Sequence, residues 1–328
     1  MFPRDEEMAM GFVRAIVAFF RKLLGFGGVK PVADESTNPS TPADSVVPMK
    51  KNRYALLVGI NKYAMPGADL RGCVNDVESM WERLTKLYHF DPDNIRVLTD
   101  ARATKANIIQ RLEWLVQVAK AGDHLVFHFS GHGSQTRDRN NDELDDHLDE
   151  LLCTHDMDWD DPLTDDLLAT YFKRVAKKGA RLTFVADCCH SGTVDRGTFG
   201  NPHPTGIRYL RPPVDIMLRS HGRSLQRKRV GWREVGVRSN DVTRINPQNH
   251  MLISGCRDDQ TSADAYIDGE YQGALTATLT SVLDEMPDAD WISIHQKVIG
   301  DLKAGRYSQI PQLSGPDDML DVVPFGGI

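Results

Sequence analysis

The chain has few cysteines, and they are poorly arranged for disulfides: five in 328 residues, with Cys188 and Cys189 adjacent. A small secreted scaffold carries an even, regularly spaced set, so these are read as reduced thiols in a cytoplasmic protein. Long apolar runs are also lacking. The most apolar stretch, Gly11 to Leu24, is interrupted by Arg14, Arg21 and Lys22, and Asp5, Glu6 and Glu7 stand where a secretory signal is basic. Neither a signal nor a membrane-spanning helix is expected. Nor is there an excess of positive charge. The 39 Lys and Arg stand against 46 Asp and Glu, a net charge of -7 with a pI near 5.9, which excludes a general attraction to nucleic acid or to an anionic membrane. No internal repeat is visible. The Gly25 to Gly28 run is not a phosphate loop, because no Lys-Ser/Thr follows in register.

What is present is 41% hydrophobic residues, enough for an ordinary buried core. Phe12, Ile16, Phe19, Phe20 and Leu23 recur at helical spacing. They describe either a short amphipathic helix that docks on a membrane or partner or a tail that does not. From Pro31 to Pro48 the composition is Pro, Ser, Thr, Asp and Ala with almost nothing bulky, too little apolar surface to offset the entropy of ordering. Residues 1–52 are therefore an extension and linker, and 53–328 a single domain. Within it, apolar runs at Tyr54 to Ile60, Ile95 to Leu98, His124 to Phe129, Leu182 to Ala186 and His250 to Ser254 read as strands, with a last strand near Gln312. Helical periodicity covers Val74 to Tyr88, Thr104 to Ala119, Asp165 to Ala176, Gly273 to Glu285 and Trp291 to Ala304. Such alternation predicts right-handed crossovers and an α/β fold with a mainly parallel sheet. Residues from about 194 to 248 break the rhythm. Nine Lys or Arg against two acids between Gly206 and Arg238 read as a long basic surface insertion.

In an open parallel sheet ligands bind beyond the carboxyl ends of the strands. Two of those positions carry nucleophile chemistry: Ser130-Gly131-His132-Gly133 after one strand, and Asp187-Cys188-Cys189-His190-Ser191-Gly192 after another. A thiolate can attack a carbonyl while an imidazole manages the protons. The N–H groups of Gly133 and Cys189 could stabilise the developing oxyanion. Taken alone, either residue could be structural, the cysteine as a small buried hydrophobe. Both together, at strand ends of one sheet, favour a Cys/His dyad.

The strings Tyr-Ala-Leu-Leu-Val-Gly-Ile-Asn (54–61), Leu-Arg-Gly-Cys-Val-Asn-Asp-Val (70–77), Phe-Ser-Gly-His-Gly-Ser-Gln (129–135), Asp-Cys-Cys-His-Ser-Gly (187–192) and Ile-Ser-Gly-Cys-Arg-Asp-Asp-Gln-Thr-Ser-Ala-Asp (253–264) resemble a type I metacaspase. The resemblance implies a caspase-like three-layer αβα sandwich and a cysteine endopeptidase acting on proteins or peptides as a monomer. It selects Cys189, the residue before His-Ser-Gly, as nucleophile, with His132 as acid/base partner. Cys188 should point the other way, by alternation along an extended segment. The resemblance further implies that Cys73, Asp76, Ser130 and Asp187 line the pocket for the residue before the cut bond. Carboxylates there select Arg or Lys and repel Asp. Taken alone, Asp76 could equally be a helix N-terminal acid complementing the dipole.

Asp138 to Asp166 holds thirteen carboxylates against one Arg and matches no EF-hand loop. Its own chemistry suits either calcium or a solvated acidic loop. The resemblance implies calcium, held by Asp149, Asp165, Asp166 and, with a one-residue shift, Asp195. An Arg-rich insertion tethered beside an Arg-selective site also predicts self-cleavage between Arg208 and Arg238, around Arg227 to Arg229. The rival reading is a catalytically silent caspase-like scaffold, against which the intact pair of His132 and Cys189 argues. A gingipain-like or clostripain-like protease would share the dyad but not both flanking strings.

Overall fold

The computed structural model describes residues 51–137, 148–190, 205–216, 250–257 and 260–327. Lys50–Ile328 forms one compact unit; the apolar segment Gly11 to Leu24, the Pro31 to Pro48 stretch, Asp195 and Arg227 to Arg229 lie outside the described residues. The central strands are β1 (Arg53–Gly59), β2 (Ile95–Thr99), β3 (His124–Ser130), β7 (Arg181–Asp187), β9 (Met251–Ser254) and β12 (Gln312–Ser314). They form one sheet in the order β12-β9-β7-β3-β1-β2, parallel throughout except at the β12 edge.

Alternation along the strands divides the core into two layers. Leu56, Val58, Phe127, Phe129, Leu182 and Phe184 face helices α2 (Lys105–Val118) and α3 (Asp165–Ala176). Ala55, Leu57, Val126 and Val185 face α1 (Cys73–Glu82), α4 (Ala274–Glu285) and α5 (Trp291–Ala304). This is the caspase-like three-layer α/β architecture. The helix starts follow local chemistry: the side chains of Thr104, Thr164 and Asp290 accept the N–H of Asn107, Leu167 and Ser293. The helix expected to run from Val74 to Tyr88 instead changes pitch after Glu82. A π turn over Arg83–Leu87 ends with the Tyr88 N–H donating to the Arg83 carbonyl at 3.0 Å.

Two small sheets were not expected. β4 (Gly133–Arg137), β5 (Leu148–Leu152) and β6 (Leu163–Thr164) form one, and β8 (Gly206–Ile207), β10 (Ala263–Ile267) and β11 (Glu270–Gly273) the other. The acidic tract is thus partly strand, with Leu151 and Leu152 buried. The basic insertion also departs from its expected surface course: Arg208, just after β8, is fully buried. Its charge is tolerated there because carboxylates surround it.

Candidate active site

β3 and β7 are neighbours in exact register from His124↔Arg181 to Ser130↔Asp187. The segments leaving their carboxyl ends therefore emerge side by side. They carry His132 and Cys189, 5% and 0% exposed. The Cys188 side chain belongs to the α2/α3 core layer, whereas the Cys189 sulfur accepts the Ser262 N–H on the other side of the chain. Gly133 lies so close to Cys189 that a Cβ added there would stand 2.1 Å from the Cys189 carbonyl oxygen. Only glycine permits that approach.

His132 is held at several points. Its N–H donates to the Tyr63 hydroxyl at 2.8 Å, and the two rings lie 5.0 Å apart between centroids. Its carbonyl accepts from Cys153 at 2.9 Å, and its Nε2 lies 2.8 Å from the Ala68 carbonyl oxygen. A carbonyl only accepts, so Nε2 carries the hydrogen and Nδ1 presents a lone pair. Burial holds the imidazole down to about 4, so at neutral pH the ring is uncharged and Nδ1 is a base. Nδ1 has no hydrogen-bond partner. No bond joins it to the Cys189 sulfur in this resting arrangement, and such contacts often tighten only around a reacting substrate.

The cleft above the pair is filled by the chain itself. Gly206 and Ile207 pair antiparallel with Asp264 and Ala263, and the Arg208 N–H donates to the Ser262 carbonyl at 3.2 Å. The Arg208 carbonyl oxygen accepts two N–H groups, from Gly133 at 2.9 Å and from Cys189 at 3.1 Å. The Leu210 N–H then donates to the Gly133 carbonyl at 2.9 Å. These are the two N–H groups expected for the oxyanion, and they converge on one peptide carbonyl.

The Arg208 side chain enters a buried acidic pocket. Its Nη1 donates to Ser130 Oγ at 2.7 Å and to the Asp187 carbonyl at 3.2 Å, with Asp187 Oδ1 at 3.3 Å. Its Nη2 donates to Asp76 Oδ2 at 2.8 Å and to Asp264 Oδ1 at 3.0 Å. The carboxylates are themselves fixed. Asp76 accepts from Ser130 Oγ at 2.6 Å and from the Gly273 N–H at 2.8 Å. Asp187 accepts from Ser262 Oγ at 2.7 Å, and from the N–H and hydroxyl of Thr276 in the first turn of α4, both at 2.8 Å. Burial pushes Asp76 up to about 6 against the pull of Arg208, as expected where three carboxylates share one guanidinium. Cys73 is fully buried next to them, and burial raises its thiol far above its usual range. The pocket floor is Gly273, where a Cβ would lie 2.4 Å from Arg208 Nη1 and 2.2 Å from Asp187 Oδ2. Cys73, Asp76, Ser130 and Asp187 are therefore together, as the resemblance implied, and Asp76 stands in the first turn of α1 and faces the pocket at once. Ala68, Tyr63, Ser262, Asp264, Gly273 and Thr276 were not anticipated. Ser262 and Asp264 sit two residues apart, which places them on one face of an extended segment.

A second acidic cluster lies on the β4-β5-β6 sheet. Leu151 pairs with Thr164, which brings Asp149 and Glu150 toward Asp165 and Asp166. Burial, then Glu150, Asp166 and Asp149, pushes the Asp165 carboxyl up to about 8, and its Oδ1 is buried without a hydrogen-bond partner. Among the described residues no group of three or more acids, His or Cys already converges at ligating distance.

Comparison with known proteins gives concordant results. The profile of the metacaspase peptidase C14 domain matches residues 53–195. Metacaspase-1 of Candida glabrata is 34% identical over 293 residues, covering 81% of this chain and 73% of that protein. Metacaspase-1 of Eremothecium gossypii is 33% identical over 290 residues, covering 80% of this chain and 64% of that protein. The fold also matches a crystal structure of a Geobacter sulfurreducens protein, with TM-score 0.59 and 26% identity over 84% of this chain and 99% of that one.

Proposed function

Because this chain belongs to the metacaspase family of cysteine-type endopeptidases, we propose that it hydrolyses peptide bonds after Arg or Lys, is stimulated by calcium and cuts itself. The observation that carries the reading is Arg208, whose carbonyl oxygen lies 2.9 and 3.1 Å from the Gly133 and Cys189 N–H groups while its guanidinium fills the acidic pocket. A substrate peptide would bind the same way. His132 Nδ1 takes the Cys189 thiol proton, and sulfur attacks the carbonyl carbon. The oxyanion is held by the two N–H groups as the tetrahedral intermediate forms. The imidazolium then protonates the departing amine, leaving a thioester that water hydrolyses with His132 again as base. A cleft occupied by the chain's own strand suits a latent enzyme better than a silent scaffold, since the two N–H donors and the acidic pocket are already engaged by one peptide unit and its side chain.

The sign of the pocket decides specificity. An aspartate entering beside Asp76 and Asp187 would meet like charges at about 4 Å, costing roughly 4 kcal/mol each at an effective dielectric near 20. Peptides differing only at the residue before the cut bond test this: Arg and Lys peptides should turn over and the Asp peptide should not. Efficient cleavage after Asp would refute the basic specificity.

Calcium would be held by Asp149, Asp165 and Asp166, with Asp195 as the further acid that the resemblance implies. The support is electrostatic: like charges crowd Asp165, and a divalent cation would reverse that repulsion. Hard oxygen donors suit calcium, while magnesium demands stricter geometry and sheds water reluctantly. Peptide turnover should rise with calcium, fall with chelator and respond weakly to magnesium, and Asp165→Asn should flatten the calcium titration. Full activity in chelator would leave the cluster without a calcium role.

A further inference from the structure

The guanidinium of Arg208 meets one carboxylate more than the sequence pattern called for. Asp264, on β10 and 2% exposed, accepts from Arg208 Nη2 at 3.0 Å. It cannot swing, because its Oδ1 also accepts the Gly72 N–H at 3.0 Å and its Oδ2 the Arg71 N–H at 3.0 Å. The two Nη branches are thus divided. Nη1 serves Ser130 and Asp187, and Nη2 bridges Asp76 and Asp264 at 2.8 and 3.0 Å.

Resting on the reading of this pocket as the seat of a basic residue, we infer that Asp264 is the specificity-determining residue that separates Arg from Lys. A Lys side chain reaches its ammonium in as many bonds as an Arg side chain reaches its guanidinium carbon. The lysine nitrogen therefore stops about 1.3 Å, one C–N bond, short of the Nη positions. It is also a single point charge rather than a fork. Placed near the guanidinium carbon, it can stay close to Asp187, Ser130 or Asp76. Asp264, pinned by two backbone N–H groups, cannot follow it. Asp264 thus bonds to arginine and contributes only a distant charge to lysine. Gly273 leaves room for the full width of the fork, since any Cβ there would lie 2.4 Å from Nη1.

The experiment compares Arg and Lys peptides of otherwise identical sequence on the full-length protein and on Asp264→Asn and Asp264→Ser, with active sites titrated by a thiol alkylator. The wild type should favour Arg in kcat/KM by on the order of tenfold or more, the worth of one charge-assisted hydrogen bond. Either substitution should lower Arg turnover by on the order of ten- to a hundredfold and Lys turnover far less, bringing the ratio toward one. Misfolding lowers both peptides equally and leaves the ratio untouched, so a structural role alone would not move it. A wild-type ratio near one, which needs no variant, overturns the proposal, and so does an unchanged ratio in a variant whose active sites titrate in full. Wild-type protein that cleaves neither basic peptide would remove the underlying reading of the pocket and this inference with it. Cleavage of both with a ratio indifferent to Asp264 removes this inference alone.

Discussion

Cys189→Ala should abolish peptide cleavage and self-cleavage while leaving the fold intact, whereas Cys188→Ala should keep both. The two adjacent thiols have opposite surroundings. Cys188 is buried within the α2/α3 core layer, so its loss removes a small core side chain and no reacting atom. Cys189 presents its sulfur on the cleft side, against Ser262, and its N–H is one of the two donors to the Arg208 carbonyl. Substitution by alanine keeps that N–H, so binding of the seated segment survives and only the attacking atom is missing. With the attacking sulfur gone, turnover should fall to background. His132→Ala should cost about 10² to 10⁴ in rate, the usual worth of a positioned acid/base group. Neutral imidazole with Nδ1 free is the form that accepts the thiol proton. Circular dichroism should superimpose for wild type and Cys189→Ala, with a melt lowered only modestly, because alanine keeps the backbone contacts and loses one sulfur acceptor for the buried Ser262 N–H. Activity retained in Cys189→Ala and lost in Cys188→Ala would reverse the assignment.

The sheet, and the placement of His132 and Cys189 just beyond two neighbouring strands, were legible in the sequence for the same reason. Strands buried on both faces, such as Leu125 to Phe129 and Leu182 to Ala186, read as unbroken apolar runs, and reactive residues directly after them stand out against that background. The helix Asp165–Ala176 was recoverable to its ends because Thr164 caps it and its apolar spacing persists. β5 was hidden because Asp149 and Glu150, between Leu148 and Leu151, mask the alternation, and its strand state comes from pairing with β4 and β6. Arg208 was the least legible. By composition it belongs to an exposed basic stretch. Only the convergence of Asp76 from α1, Asp187 from β7 and Asp264 from β10 makes a fully buried arginine stable. Those three are separated in sequence and joined only by the tertiary fold, which is also why Asp264 passed unnoticed at the end of a familiar string.

On activation the first internal cut should fall between Arg208 and Tyr209, rather than near Arg227 to Arg229. The Arg208 carbonyl already lies against both N–H donors and its side chain fills the pocket, so the tethered bond competes with every other Arg at a high effective concentration. Reaction of the chain's own bond is first order, so the fraction cut per unit time should not change on tenfold dilution. Intact mass and N-terminal sequencing should show one fragment ending at Arg208 and another beginning at Tyr209. Arg208→Ala should eliminate this cut. It also leaves Asp76, Asp187 and Asp264 without their cation, and an uncompensated buried charge costs about 3 to 5 kcal/mol. That cost is relieved most easily by release of the short seated strand, whose main-chain anchors are the pairing of Gly206 and Ile207 with β10 and the few bonds at Arg208 and Leu210. The cleft then opens to water and to substrate. Added peptide should accordingly be cleaved by wild type after a lag that tracks loss of the full-length chain, and by uncut Arg208→Ala with no lag. A first cut elsewhere with the Arg208–Tyr209 bond intact, or equal cutting in Cys189→Ala, would show that the seated strand is not the enzyme's first substrate.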